Sequence, residues 1–310
     1  MAIIEVDALT KVYKGGFRKP SVTALKEFSL EVEPGTIFGL LGRNGAGKTT
    51  FIKLLLAIIS PTSGSFSVFG EEGGSVAYKK KIGYLPENHK FPGFLTGSEV
   101  LFYMAGLSQV PSAQIKSKIT ANLKLVGLSE AANKKVKTYS KGMMQRLGLA
   151  QALIHDPEII FLDEPTDGVD PIGRKEIRDL LIHLKEQGKT IFLNSHILSE
   201  VELITDRVAI IEKGELLKEG TVKDLTTSQR EYKLFTGSEV VQHLPEALKE
   251  SYSMRVGKDG FYYFTLDSNA IANELLQEVI NAKIEVKEFS EVRHSLEEIF
   301  IQVVTDAEVK

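Results

Sequence analysis

A glycine-rich octapeptide at residues 42–49 carries the clearest chemistry in this sequence. Its one-letter sequence, GRNGAGKT, matches the phosphate-binding pattern G-x-x-x-x-G-K-[ST]. In this pattern backbone amide groups close around phosphate oxygens, the lysine neutralises the β- and γ-phosphates, and the last hydroxyl ligates Mg²⁺. The residues expected to contact phosphate or metal are Gly42, Asn44, Gly45, Ala46, Gly47, Lys48, Thr49 and the following Thr50. The octapeptide therefore predicts a nucleoside triphosphate site.

The elements on either side of this loop are those that the pattern requires. Residues 36–41 predict a buried strand, and residues 50–59 predict an apolar helix. The glycines then lie on a strand-to-helix turn, which is the context of a phosphate loop. The alternative is a glycine-rich turn whose lysine is merely solvated.

Two carboxylates follow a second apolar strand, predicted at residues 159–162. Neighbouring residues of a strand point to opposite sides, so Asp163 and Glu164 should have separate roles. Asp163 suits the Mg²⁺ site, through a water molecule. Glu164 suits polarisation of the water that attacks the γ-phosphate. The alternative is an ordinary acidic turn.

A second anion site is indicated at residues 139–146, whose one-letter sequence is YSKGMMQR. This segment leads into a predicted helix over residues 147–154. A serine hydroxyl, a glycine amide and a helix N-terminus can together bind an anion, here through Ser140 and Gly142. With one phosphate loop already present, this suggests a nucleotide held from two sides. The alternative is that Ser140 only caps the helix.

Composition restricts the class of protein. The 310 residues suffice for one large or two ordinary domains, and the net charge of −3 argues against a nucleic-acid partner. Without cysteine there is no disulfide framework. The longest apolar run, residues 54–59, is too short to span a bilayer, and we expect no signal peptide. We expect a cytoplasmic chain whose membrane role comes through a partner.

The order of predicted elements divides the chain into two domains, residues 1–220 and 221–310. The first has short strands, a helical subdomain at about residues 88–155, and β-α-β alternation, which predicts an α/β fold with a parallel sheet. The second is predicted to be a small α+β domain. Its predicted helices are 239–249, 270–282 and 296–304, the last opened by a capping box of Ser295 and Glu298, and its predicted strands are 232–235, 254–256, 261–266 and 284–287.

The phosphate loop, the S-x-G helix start and the strand ending in Asp-Glu occur in an order that resembles the ATP-binding subunit of an ABC transporter. The resemblance covers about residues 1–220. Residues 221–310 resemble, less specifically, the extra domain of export-type (multidrug, ABC-2-like) members. The resemblance implies a P-loop NTPase ABC cassette, with a RecA-like parallel sheet, N-terminal antiparallel strands and a helical subdomain.

The same resemblance implies what the chain works with. The expected ligands are ATP and Mg²⁺, and the expected reaction is ATP hydrolysis coupled to transport. The expected partners are a second ATP-binding subunit, identical or a paralogue, and membrane permease subunits. The chain would then be peripheral on the inner face of the cell membrane.

Further residues take roles that the resemblance implies. Asp170 matches the D-loop, and Tyr13 matches the aromatic residue that stacks on adenine. His196 follows the apolar strand predicted at residues 190–193 and matches the family's switch histidine. With Glu164 and Lys48 it makes up the expected catalytic set. On physical grounds alone, Asp170 could be a turn former, Tyr13 a packed aromatic and His196 a capped strand-end histidine.

Two segments depart from the family pattern. The signature is usually LSGGQ and here reads YSKGM, which keeps Ser140 and Gly142, and Lys141 adds a positive charge where an anion would bind. In the segment that resembles the Q-loop, Glu87 occupies the glutamine position. A carboxylate there can ligate Mg²⁺ but would repel the γ-phosphate without the metal, and Asn88 is the alternative ligand.

Two aromatic residues that follow this segment, Phe91 and Phe94, allow two interpretations. They belong to the core of the helical subdomain, or they line a groove that receives a cytoplasmic helix of a membrane subunit. Both can hold for different residues.

Other classes of function fit the sequence less well than transport does. The alternative is a non-transport ABC ATPase that acts as an ATP-dependent switch on a soluble or nucleic-acid partner. Its translation-factor type needs two cassettes, and its DNA-repair type needs a long coiled coil between Lys48 and Asp163, where 115 residues leave no room. A GTPase needs Asn-Lys-x-Asp, and the nearest match places Val136 at the last position. Transport is the expectation, with export suggested by the C-terminal resemblance and the substrate not encoded.

Overall fold

The computed structural model describes residues 2–16, 20–236, 252–257, 259–266 and 269–309. The chain forms two compact units. One comprises Met1–Thr221 together with Val303–Lys310, and the other comprises Val222–Gln302. The domain boundary predicted from the sequence lies between residues 220 and 221, with all of residues 221–310 in the accessory domain. The helix predicted at 239–249 lies outside the described residues.

The first unit combines two sheets and a group of helices. Its described strands are β1 (Ile4–Tyr13), β2 (Val22–Val32), β3 (Ile37–Leu41), β4 (Ser63–Val68), β5 (Glu71–Glu72), β6 (Ile82–Leu85), β7 (Ile159–Asp163), β8 (Thr190–Asn194), β9 (Arg207–Glu212) and β10 (Glu215–Thr221). Its described helices are α1 (Lys48–Leu55), α2 (Gly97–Leu107), α3 (Ser112–Leu125), α4 (Lys141–Leu153), α5 (Pro171–Glu186) and α6 (Leu198–Glu202).

The central sheet has six strands in the order β10-β9-β3-β8-β7-β6. The strands from β9 to β6 are parallel, and β10 pairs antiparallel with β9 at the edge. Strands β3, β7 and β8 are buried at every position, as expected for parallel strands covered on both faces. Their carboxyl ends therefore meet at one edge of the sheet.

A second, antiparallel sheet has the order β2-β1-β4-β5. Its inner face joins the central sheet in one apolar cluster. Phe28 of β2 packs on Phe51 of α1, with ring centroids 4.8 Å apart, and Phe51 packs on Phe192 of β8 at 5.8 Å. This cluster fixes α1, and thereby the loop before it, on the sheet.

Helices α2, α3 and α4 lie between β6 and β7 in sequence and contact one another. Helix α2 begins with a capping box in which Thr96 and Glu99 exchange hydrogen bonds of 2.6 and 3.1 Å. On α3, Leu123 is buried, whereas Ile115 and Ile119 are half-buried. These helices form the helical part of the first unit.

The second unit contains a four-stranded antiparallel sheet in the order β12-β13-β11-β14. Its described elements are α7 (Val222–Thr226), β11 (Thr227–Phe235), β12 (Ser253–Val256), β13 (Tyr262–Thr265), α8 (Asn269–Asn281), β14 (Glu288–Arg293) and the first part of α9 (Leu296–Val309), of which the residues from Val303 onward belong to the first unit. The capping box at the start of α9 is present, because Ser295 and Glu298 exchange hydrogen bonds of 2.9 and 3.2 Å.

The strand predicted at 284–287 is wrong. Ile284 and Val286 do pack against the small core, which explains the alternating pattern. Pairing with β11 begins only where Phe235 lies opposite Glu288, so the strand is Glu288–Arg293.

Candidate functional site

The loop between β3 and α1 has the backbone of a phosphate cradle. Gly47 caps α1 with a φ of 114°, and no side chain caps this helix, so the first-turn N–H groups are available. A Cβ atom at Gly47 would lie 2.4 Å from the carbonyl oxygen of Ala24, and one at Gly42 would lie 2.4 Å from that of Ile211. The loop therefore requires glycine at these positions and presents amides to an anion.

Lys48 is the buried cation of this loop. Its Nζ donates to the carbonyl oxygens of Gly42 and Arg43, at 2.6 and 3.2 Å. Burial lowers the pKa of Lys48, and the nearby carboxylates of Glu164 and Asp163 partly oppose this effect. Because this buried ammonium group is bonded only to two neutral carbonyls, a phosphate anion bound beside it would strongly stabilise its positive charge.

Asp163 ends β7 and lies beside Asn194, the last residue of β8. The carboxylate is buried and accepts a hydrogen bond from the Asn194 amide. Burial, with repulsion from Glu87 and Glu164, raises the pKa of Asp163 to about 6, although Asn194 and Lys48 lower it. A cation bound nearby would stabilise the ionised form of this carboxyl group.

The residues here fit a Mg²⁺ ion that is bound partly by substrate. The Oδ1 atom of Asn194 is buried and has no hydrogen-bond partner in the described part of the chain. Among the described residues no group of three or more His, Cys, Asp or Glu could hold a metal. Mg²⁺ prefers oxygen ligands and commonly uses one or two protein groups plus phosphates and water. Asp163 and the buried Oδ1 atom of Asn194 beside it are oxygen donors of this kind.

Glu164, the next residue, has a left-handed backbone with a φ of 53°. Its carboxylate oxygen Oε2 lies 2.7 Å from Nδ1 of His196 and accepts the backbone N–H of His196 at 3.3 Å. The side chain of Glu164 is buried, whereas that of His196 is half exposed. The predicted Asp–Glu pair thus separates into a carboxylate held by Asn194 and one held by His196.

The predicted second anion site is the start of α4. Ser140 caps the helix, since its hydroxyl accepts the Met143 N–H at 3.2 Å. Gly142 is open, because the nearest atom to an added Cβ would be Val169 Cγ1 at 3.8 Å. Nζ of Lys141 pairs with Asp167 at 2.8 Å. Among the described residues no hydrogen bond or ion pair joins Ser140 or Gly142 to residues 42–49.

The remaining predicted residues take separate positions. Asp170 caps α5 by accepting the Gly173 N–H at 2.9 Å. Tyr13 ends β1 with 40% of its surface exposed, as an adenine platform would be. Glu87 follows β6 and lies close enough to Lys48 and Asp163 to influence the pKa of both.

The two aromatic residues after Glu87 differ. Phe94 is 73% exposed, so the core interpretation is wrong for this residue. Phe91 is half-buried and contacts His89, with ring centroids 5.6 Å apart. Phe94 therefore remains available to a partner.

Three residues of the site were not predicted: Asn194 beside Asp163, Asp167 beside Lys141, and Gln145. The Nε2 atom of Gln145 donates to the carbonyl oxygen of Glu164 at 3.1 Å. A signal was present for Asn194 alone, because it is the polar residue that follows the apolar run at residues 191–193.

Comparisons with known proteins agree with this geometry. The chain matches the family model described as "ABC transporter" over residues 25–167, and that described as "ATP-binding protein DrrA1-3-like, C-terminal domain" over residues 220–304. It is 39% identical over 311 residues to the bacitracin transport ATP-binding protein BcrA of Bacillus licheniformis, and 97% of each chain is covered. It is 50% identical over 234 residues to the uncharacterized ABC transporter ATP-binding protein all4389 of Nostoc sp., covering 74% of this chain and 70% of that protein.

Solved structures give the same result. A dimeric ATP-binding cassette in a post-hydrolysis state with ADP and Pi is similar, with a TM-score of 0.65 and 25% identity over 71% of this chain and 98% of that one. CbiO1 from Clostridium perfringens has a TM-score of 0.64 and 27% identity over 72% of this chain and 90% of its own.

Together, the fold and the site define an ABC cassette. The chain belongs to the ATP-binding proteins of ABC transporters. The predicted fold class, ATP binding and ATPase activity are confirmed. No helix among the described residues combines the length and hydropathy needed to cross a membrane.

Proposed function

We propose that this chain is the motor subunit of an export-type ABC transporter, and that two such subunits enclose two ATP molecules and drive membrane permease subunits. One observation carries the proposal: Glu164, His196, Asp163 and Lys48 converge where the strands of the central sheet end. This arrangement is suited to holding a triphosphate and activating water beside it.

In the proposed mechanism each residue has one task. The amides of residues 42–49 and the ammonium of Lys48 bind the β- and γ-phosphates. Thr49 and Asp163 would hold Mg²⁺, with Glu87 or Asn88 as a further ligand; when bound, the metal neutralises phosphate charge. Glu164 accepts a hydrogen bond from the attacking water and polarises it.

His196 positions this carboxylate through the 2.7 Å contact between its Nδ1 and Glu164 Oε2. With Nδ1 donating to Glu164, Nε2 of the half-exposed ring can accept a hydrogen bond from the attacking water. Tyr13 stacks on the adenine ring.

Dimerisation completes the site. Ser140 and Gly142 form an anion site that does not serve the phosphate loop of their own chain, which supports binding to the ATP of a second subunit. Asp170 at the start of α5 would lie at the same interface. The partner is a second copy of this chain or a paralogue. Because ATP bridges both surfaces, it favours the closed state.

Coupling to the membrane would run through permease subunits on the cytoplasmic face. The exposed Phe94 supports a surface that receives an apolar helix. Export is supported by the match of residues 220–304 to the DrrA1-3-like domain and by the likeness to BcrA, whose name records bacitracin transport. Nucleic acid is not proposed as a partner.

The proposal is tested by Glu164→Gln, which keeps the shape and removes the carboxylate. The variant should bind ATP, hydrolyse it at least about 100-fold more slowly, and elute as an ATP-bound dimer on size exclusion. Glu130→Gln, at an exposed position, is the matched control and should behave as the wild type. A Glu164→Gln protein that stays monomeric and free of ATP would contradict both the catalytic role and the dimer.

A further inference from the structure

Gln145 is a buried polar residue in a helix that otherwise buries apolar side chains. It lies on α4, and only 5% of it is exposed. Burying an amide is unfavourable unless it is hydrogen-bonded, and the Nε2 atom of Gln145 donates to the carbonyl oxygen of Glu164 at 3.1 Å. The bond thus joins α4 to the residue that follows β7.

The backbone that receives this bond is strained. Glu164 has a φ of 53°, a region disfavoured for residues that carry a Cβ atom. Such conformations persist only where surrounding bonds impose them. The N–H of Glu164 donates to the Asn194 carbonyl at 2.9 Å, and its carbonyl accepts from Asp167 at 3.2 Å as well as from Gln145. Among these three hydrogen-bond partners of the Glu164 backbone, only Gln145 binds through its side chain, so only this bond can be removed by a substitution.

The left-handed turn decides where the carboxylate points. Asp163 continues β7 and faces Asn194, whereas the turn at Glu164 brings its carboxylate to Nδ1 of His196 at 2.7 Å. If the turn relaxed, the carboxylate would leave this position although its own side chain was unchanged.

We propose that Gln145 is a positioning residue for ATP hydrolysis: its amide holds the left-handed backbone of Glu164 and so aims the carboxylate. Gln145 lies on α4, the helix that contains Gly142 and is capped by Ser140. A structural change at the start of α4, where the ATP of the second subunit would bind, would therefore be transmitted by the side chain of Gln145 to the Glu164 carboxylate of the same chain. The inference rests on the proposed role of Glu164.

The test compares Gln145→Met, which keeps the length and loses the donor, with Gln151→Met, a partly exposed position on the same helix. Gln145→Met should lower kcat for ATP at least about 10-fold and leave KM within about 2-fold, because the lost bond acts on the transition state and not on ATP binding. Gln151→Met should leave both unchanged. Equal kcat values for the two variants would overturn the inference.

The double variant with Glu164→Gln separates this inference from the proposed function. If Gln145 acts through Glu164, adding Gln145→Met to Glu164→Gln should cause no further loss of hydrolysis. A further loss of the same size would overturn the inference and leave the role of Glu164 intact. Wild-type kcat in Glu164→Gln alone would overturn both.

A second variant covers the case in which Gln145→Met fails to fold. Gln145→Glu has nearly the same shape and regains a donor only when its carboxyl is protonated. Its kcat, divided by that of the wild type at the same pH, should rise as the pH is lowered from 8 to 6. A ratio that does not change with pH, or loss of folding in both variants, would identify Gln145 as a structural residue and overturn the proposal.

Discussion

At the scale of single residues, Asp163 illustrates how a buried carboxyl makes the stability of the folded protein depend on pH. The carboxyl is buried near Glu87 and Glu164, and its pKa is raised from 3.8 to about 6. Without metal the folded protein therefore keeps a proton that the unfolded chain releases between about pH 4 and 6. Stability falls as the pH rises through this window, by about 3 kcal/mol in total, and the loss is complete above about pH 7.

Replacing Asp163 by Asn should remove this loss. In EDTA and without nucleotide, Asp163→Asn should be up to about 3 kcal/mol more stable than the wild type at pH 8, and about 1 kcal/mol at pH 4.5. Urea unfolding at both pH values measures the difference. The exposed Asp7→Asn is the control and should show no such pH-dependent gain. A gain of equal size at both pH values would exclude titration of Asp163 as the cause.

At the scale of elements, two helices of the first unit begin with hydroxyl caps that differ in their surroundings. Thr96 caps α2 in a capping box, and Ser140 caps α4. Both hydroxyls satisfy one backbone N–H, and loss of either should cost about 1 kcal/mol. Only Ser140 is proposed to contact a nucleotide.

Thr96→Ala and Ser140→Ala should therefore separate capping from catalysis. Chemical denaturation should find both variants destabilised by about 1 kcal/mol, whereas steady-state ATPase assays should find a loss of at least about 10-fold in Ser140→Ala alone. If ATPase activity fell equally in both, the serine would be a helix cap and nothing more.

The contacts between elements also explain which parts of the fold and the site could be predicted from the sequence. Lys48, Asp163 and Glu164 could be singled out from the sequence because each lies in a contiguous motif with a local geometric reason, and their roles stay predictions. Gln145 and Asn194 were not given roles, since these depend on α4 and β8 approaching β7 from distant parts of the chain. The misplaced strand at 284–287 has a similar cause: alternating burial predicts a strand, but its bounds depend on the partner strand.

At the scale of the whole molecule, the shared site makes a prediction about mixed dimers. Ser140→Ala and His196→Ala would damage opposite sides of the proposed interface. In a heterodimer of the two variants, one site receives both defects and the other receives none. If the sites act independently, such a heterodimer should regain up to about half of the wild-type ATPase activity, whereas each homodimer stays impaired.

The measurement is the ATPase activity of purified, differentially tagged heterodimers. Mixtures of wild type with each variant serve as controls for whether the two sites must act together. No recovery in the heterodimer, with controls that retain half of the activity, would contradict a site built from two chains.

The ion pair between Arg43 and Glu308 joins residues that are synthesised at very different times. Arg43 belongs to the phosphate loop, and Glu308 lies near the end of α9, 2.6 Å away in space and 265 residues away along the chain. Both side chains are about half exposed, so the pair adds little stability. During translation, however, the loop leaves the ribosome long before Glu308 is made. A nascent chain therefore carries its phosphate loop with Arg43 free of this carboxylate, and the charge beside the loop changes only when synthesis has passed residue 308.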